Sequence, residues 1–305
     1  MENKNFDIII IGGGPAGCSA AVYSASRGKK VAVLEKNKIG GTVGNVSSVT
    51  HFLSVENGET GVSFAKKLED QLIKYKVPVI NEEAIDFQLD GDIKKVITKD
   101  SEYLCSCVIL ATGLTPKNLD VPGVERFLNN GIYKNASQYG EKFRGKDIYV
   151  VGGADGAIKE AIYLAQFAKK LTIIHFENSL NPIAEFKEKL KELPNVEVIL
   201  NSKITNLIGD EKLEKIEITN VENGEKILLD ADGCGIFPYI GGSPMINEKL
   251  NLNLENGFLS VNSGMETNIP GVFGAGDICA KTIRQVSTAV SDGTIAGVKS
   301  SLYIK

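Results

Sequence analysis

No two cysteines in this 305-residue chain stand three positions apart, so the Cys-x-x-Cys that dithiol oxidoreductases use for exchange is missing. Five cysteines make no disulfide framework in a chain of this size, and an odd number leaves at least one thiol unpaired. No apolar run approaches the ~20 residues needed to cross a bilayer. There is no basic surplus either: 34 Lys and Arg against 38 Asp and Glu leave a net charge of −4. With the cations scattered along the chain, neither nucleic acid nor an anionic membrane is an expected partner. The opening Met1-Glu2-Asn3-Lys4-Asn5 is polar and runs directly into a strand, so no secretory signal core is expected and a cytoplasmic location is. No metal site is expected.

The length suits about two domains, and 43% hydrophobic residues is ordinary for globular cores. Asp7-Ile8-Ile9-Ile10-Ile11 reads as a parallel strand buried on both faces. It ends at Gly12-Gly13-Gly14-Pro15-Ala16-Gly17, and an Ala- and Ser-rich helix is predicted from Pro15 to Arg27. A second strand, Lys30 to Leu34, closes at Glu35, 23 residues after Gly12. Each glycine has a mechanical reason. Gly12 permits the tight turn, Gly14 lets backbone approach a pyrophosphate, and Gly17 lets helix and strand pack closely. The helix N-terminus offers N–H groups and the positive end of its dipole to phosphates, and Glu35 can accept hydrogen bonds from a ribose.

Two further elements complete the pattern. Val108-Ile109-Leu110 is an apolar strand leading into Ala111-Thr112-Gly113. Near the other end, Val272-Phe273-Gly274-Ala275-Gly276-Asp277 is a short strand ending in a carboxylate suited to accept from a ligand hydroxyl. Arg284-Gln285-Val286 then opens a helix predicted to run to about Ser300, whose N-terminus would favour negative charge on a bound group.

With these motifs, Gly40-Gly41-Thr42, Phe143-Arg144-Gly145-Lys146 and Arg284-Gln285 in order, the chain resembles the low-molecular-weight thioredoxin reductases, within the pyridine nucleotide–disulfide oxidoreductases. The resemblance covers almost the whole length. It implies an FAD domain built from both ends of the chain, a nucleotide domain inserted between, and a homodimer. Matched to the family's flavin contacts, the implied FAD-binding residues are Gly12, Gly14, Pro15, Ala16, Gly17, Glu35, Lys36, Gly41, Thr42, Asn45, His51, Ala84, Ala111, Thr112, Gly113, Asp277, Arg284, Gln285 and Val286. Thr42 stands where the family usually has Gln.

The middle of the chain repeats the first motif. Ile148 to Val151 is a strand, Gly152-Gly153-Ala154-Asp155-Gly156-Ala157 the turn, and Ile158 to Lys169 a predicted helix. Leu171 to Ile174 is the next strand and ends at His175, again 23 residues after the first glycine. Asn223-Gly224 and Asp90-Gly91 mark a hairpin in each half. The expected fold is α/β with two Rossmann-like dinucleotide-binding domains, the second inserted into the first. Residues 1–116 and 243–305 form the FAD domain, and 117–242 an NAD(P)-binding-like domain.

That second turn departs from a working NADPH site. Gly152, Gly153, Ala154, Asp155 and His175 outline it, but Ala154 puts a methyl where the fingerprint has its central glycine. The family reads the 2′-phosphate with arginines after the histidine; here His175-Phe176-Glu177-Asn178-Ser179-Leu180-Asn181 has none. NADPH is disfavoured, NADH needs none of those arginines, and a retained scaffold without ligand is the alternative. Lys134 and Ser137 stand where the family places its two redox sulfurs, which removes the usual dithiol mechanism. Cys105 and Cys107, two apart on one strand, read as buried small hydrophobes, as do Cys18 and Cys279 beside the cofactor motifs; Cys234 reads as structural. His51, in the loop the family lays along the flavin, is the candidate catalytic residue, a proton carrier, against the alternative that it bonds a loop carbonyl. Three readings stay open: an FAD oxidoreductase exchanging electrons with an external partner, a ferredoxin/flavodoxin–NAD(P) reductase-like enzyme, and a flavin-bearing binding or sensing protein without turnover.

Overall fold

Ile8 to Ile11 and Val31 to Leu34 are buried at every position, as strands covered on both faces must be. In the computed structural model, which describes residues 4–304, they lie side by side within a seven-stranded sheet; the opening Met1 to Asn3 falls outside the described residues. The order is Val79–Ile80, Val31–Leu34, Lys4–Ile11, Glu102–Leu110, Lys94–Ile97, Asp86–Gln88, with Val272–Gly274 also paired to Glu102–Leu110. The first four strands and Val272–Gly274 are parallel, while the hairpin strands run antiparallel.

Glu102–Leu110 is longer than the apolar run Val108–Leu110 suggests, because one edge pairs with Lys4–Ile11 and the other serves two further partners. Its first four residues pair with Lys94–Ile97 and its last three with Val272–Gly274. That double pairing sets the chain's late strand against Glu102–Leu110, one strand away from Lys4–Ile11, and Leu110 accepts the Ala275 N–H at 2.9 Å.

The chain divides into two units, one running up to Thr115 and resuming at Pro244, the other Pro116–Ser243. The second unit has its own four-stranded parallel sheet, in the order Val196–Ile199, Lys170–Ile174, Asp147–Val151, Gly235–Pro238. A three-stranded antiparallel sheet accompanies it, and its hairpin strands Lys215–Asn220 and Lys226–Asp230 turn near Gly224, at φ +75°. The helix after the second glycine turn spans Asp155–Ala165, earlier at both ends than its sequence pattern predicts. Ala154 is extended and starts the helix directly, and turn bonds end it from Phe167 to Leu164 and from Ala168 to Leu164. The first helix is Pro15–Ala25, two residues shorter than predicted, ending before Gly28 at φ +76°. The last helix, Val286–Tyr303, runs three residues past Ser300.

The first and last helices meet through small residues. A methyl on Gly293 would fall 2.1 Å from the Ala16 carbonyl oxygen, and one on Gly297 would fall 2.5 Å from that of Ala20. Ser19 Oγ donates to the Val290 carbonyl at 2.8 Å, and Ser24 Oγ to the Gly297 carbonyl at 3.1 Å. Backbone therefore touches backbone, and no larger side chain fits between. Gly293→Ala should destabilise the protein by about 2 kcal/mol despite alanine's better helix propensity, because overpacking against rigid backbone outweighs it. Urea denaturation checks this; a variant more stable than wild type would show that the helices have room to part.

Candidate dinucleotide site

The first glycine turn is held by the ends of three strands, Lys4–Ile11, Val31–Leu34 and Glu102–Leu110. Gly12 N–H donates to the Leu34 carbonyl and Ala111 N–H to that of Ile11, at 2.8 and 2.9 Å. Gly12 is at φ +105°, and a methyl there would sit 2.5 Å from the Ala111 oxygen. Gly17 is tighter still: its methyl would fall 1.9 Å from the Gly12 oxygen, so helix and turn are in contact as the fingerprint requires. Gly14, by contrast, faces open space, with nothing within 4 Å of where its side chain would be. It is the extended N-cap of the first helix, and no side chain caps the helix's leading N–H groups. An open glycine beside uncapped amides is the geometry that receives a pyrophosphate.

The other candidates gather around this turn in stages. Glu35, 9% exposed, accepts the Gly13 N–H at 2.7 Å and the Asn37 N–H at 2.8 Å, which fixes its carboxylate at the rim. Gly41, at φ +56°, approaches Gly14 closely enough that a methyl would lie 3.2 Å from its Cα. Ala111 is buried, Thr112 and Thr42 are exposed, and Gly113 takes φ +63°. Asn45 Nδ2 reaches back to the Gly41 carbonyl at 3.5 Å. Lys36 turns to the surface and pairs with Glu83 at 2.8 Å, in the segment leading to half-buried Ala84. His51 is exposed and sits at φ +58°, in the left-handed region. Its loop is tied down by Val49 N–H to the Glu59 carbonyl at 2.8 Å. The Glu59 carboxylate receives Lys67 Nζ and Ser63 Oγ, which hold its carboxyl below the usual range.

Asp277 is the informative member. Its Oδ1 is buried and has no hydrogen-bond partner, an arrangement that costs free energy unless something donates to it. Burial pushes its carboxyl above the usual range, with Asp292 adding to the shift and Lys281 and Arg284 opposing it. A polyol hydroxyl is the donor such an oxygen lacks, so the residues present fit an FAD chain running from the first glycine turn to Asp277. Arg284 braces the same segment, donating to the Asp277 and Cys279 carbonyls at 3.4 Å each while its guanidinium lies 4.0 Å from the Phe258 ring centre. Gln285 caps the last helix and Val286 begins it.

Three residues outside the candidate set also build this site. Asn81 Nδ2 donates to the Glu35 carbonyl at 2.9 Å. Gly276 packs so closely that a methyl would meet the Ala16 side chain at 2.8 Å, and its N–H donates to Asp292 at 3.0 Å. Gly276 was visible in its motif, but only the fold brings Asn81 and Asp292 here.

All five cysteines are free. Burial pushes the Cys18, Cys105, Cys107 and Cys279 thiols up to about 12, and Cys234 to about 11. Such thiols are protonated and poor nucleophiles at neutral pH. At the positions matched to the family's sulfurs, Lys134 is exposed and Ser137 Oγ donates to Asn135 Oδ1 at 2.8 Å.

In the second unit the turn is held in the same way, with Gly152 N–H on the Ile174 carbonyl at 3.0 Å. The ring of His175 lies against it: a methyl on Gly153 would fall 2.5 Å from Cδ2. His175 Nε2 meets Glu177 Oε2 at 3.2 Å, and Asn181 Nδ2 donates to the same oxygen at 3.1 Å. The Asp155 carboxylate, at the helix start, accepts the Ile183 N–H at 2.7 Å. The unit's two arginines are engaged elsewhere, Arg144 with Glu141 and the Phe167 ring, Arg126 over Phe127. Among the described residues no group of three or more His, Cys, Asp or Glu could hold a metal ion, and no helix is long and apolar enough to cross a membrane.

A hydroxyl that donates to Asp277 favours its ionised form, so binding drives a proton off the more protonated free protein. FAD affinity should therefore rise with pH through the raised Asp277 pKa and level off above it. Asp277→Asn should lose that slope and weaken FAD binding by about tenfold to a hundredfold, the worth of a hydrogen bond to a charged group. Fluorescence titration of flavin-free protein from pH 4 to 8 checks both; a flat wild-type profile would disconnect Asp277 from the ligand.

A model of the pyridine nucleotide-disulphide oxidoreductase family matches residues 6–293. A 34.2 kDa protein in the rubredoxin operon of Clostridium pasteurianum is 36% identical over 307 residues, which cover 99% of this chain and 98% of that one. The thioredoxin reductase of Lactococcus lactis superposes with a TM-score of 0.94 at 31% identity, over 98% of this chain and 99% of that one. A ferredoxin-flavin thioredoxin reductase from Clostridium acetobutylicum matches with a TM-score of 0.54 at 26% identity, over 100% of both chains. Glycine turn, paired sheets and near full-length matches agree: the chain belongs to the pyridine nucleotide-disulphide oxidoreductase family.

Proposed function

We propose that this protein is an FAD-dependent oxidoreductase of thioredoxin reductase architecture whose flavin exchanges electrons with an external partner, without a dithiol of its own. The observation that carries the reading is the pairing of an open, uncapped glycine turn with the orphaned Asp277 oxygen, in a chain with four buried thiols and a fifth, Cys234, half-buried, none of them in a disulfide. When bound, FAD would supply the capacity to take up and release electrons singly or in pairs. Gly14 and the first helix would receive its pyrophosphate, Glu35 its ribose, and Asp277 its ribityl chain. Arg284 would hold Asp277 in place, and His51 is the group assigned to proton exchange.

The relative in a rubredoxin operon and the ferredoxin-flavin thioredoxin reductase neighbour support a small one-electron carrier of ferredoxin or flavodoxin type as the partner. NADPH is disfavoured as donor. Two or three missing charge-assisted hydrogen bonds at ~1.5–3 kcal/mol each remove most of the 2′-phosphate grip, and Glu177 adds repulsion beside the turn. NADH requires no such grip and is the nicotinamide partner the second unit still suits. A cytoplasmic homodimer is the form proposed for the working protein.

Anaerobic titration of the FAD-loaded protein, followed near the usual flavin band at about 450 nm, separates these donors. Reduced ferredoxin or flavodoxin should bleach the band within the mixing time, and NADPH should act at least about a hundredfold more slowly. Rapid bleaching by NADPH together with reduction of a protein disulfide would overturn the proposal.

A further inference from the structure

The Asp277 segment is fixed from a side chain that has no place in any flavin motif. Asp292 lies in the second turn of the last helix, its side chain only 15% exposed. Its Oδ2 accepts the Gly276 N–H at 3.0 Å and also receives the Lys281 ammonium, itself 16% exposed. One carboxylate therefore grips the chain at two points, one residue before Asp277 and four residues after it. On the opposite side there is no slack, because Gly276, at φ +82°, has no room for a methyl beside Ala16. Two nearly buried charges are tolerable only with good geometry and further hydrogen bonds, and here Gly276 N–H supplies one. The Lys281–Asp292 pair also faces Asp277 with opposing charges, so its balance sets the local potential.

Resting on the flavin reading above, we propose that Asp292 is a positioning residue for the FAD site. It acts through Gly276 and Lys281 to fix the Asp277 carboxylate, and so sets flavin affinity and reduction potential. Lys281 is the counter-charge that lets the acid be buried there.

The test compares Asp292→Ala, Asp292→Asn and Lys281→Met with wild type by two readouts, FAD dissociation constant on flavin-free protein and midpoint potential by spectroelectrochemistry. Asp292→Ala should raise the dissociation constant at least about tenfold and move the potential. Asp292→Asn should recover most of the affinity, because its amide oxygen still accepts the Gly276 N–H, yet keep a shifted potential because the charge is gone. Lys281→Met should lower the potential by leaving Asp292 uncompensated. Wild-type affinity and potential in Asp292→Ala would overturn the proposal. Should that variant not fold, unchanged potentials in both Asp292→Asn and Lys281→Met would overturn it equally. Failure of the wild type itself to take up FAD would refute the underlying functional reading instead, and is seen in the first titration.

Discussion

Contact between the first and last helices is the constraint on which the first unit's site depends. Gly293 and Gly297 offer bare backbone to Ala16 and Ala20, and serine hydroxyls stitch the two helices together. The first helix begins at the glycine turn, and the last begins nine residues after Asp277. Their approach therefore sets the distance between the proposed phosphate end and polyol end of one ligand, though these elements are more than 250 residues apart in the chain. Strand pairing of Val272–Gly274 with Glu102–Leu110 adds the second fixed point.

The two units show how one plan is specialised by a few side chains. Gly40 N–H to Gly13 in the first has its counterpart in Asn181 N–H to Gly153 in the second, at 2.8 and 3.0 Å. Gly12 abuts the Ala111 oxygen as Gly152 abuts that of Tyr239, both at 2.5 Å for an added methyl. What differs is the lining. Gly14 becomes Ala154, Gly17 becomes Ala157, and the carboxylate of Glu35 becomes an imidazole laid across the turn. The scaffold is shared, and the chemistry at its mouth is not.

Much of this was readable in the residues because glycine turns are local: the constraint and the residues that meet it lie within a few positions of each other. The buried strands, the two hairpins and both fingerprints follow from periodicity and turn chemistry alone. Helix ends were less legible, since Gly28, the extended Ala154 and turn bonds near Leu164 decide them through backbone geometry that composition hardly marks. The full length of Glu102–Leu110 was hidden because its partners lie on both sides in sequence. Asp292 and Asn81 were invisible for a related reason: each acts on a segment brought to it only by tertiary packing.

The account stands on a single claim, that this chain grips one dinucleotide at its first turn and does not grip NADPH at its second. Isothermal titration of flavin-free protein addresses it directly. One FAD per chain, with no heat from NADPH added afterwards, is the predicted result. No FAD uptake, or a second saturable site for NADPH, would contradict it.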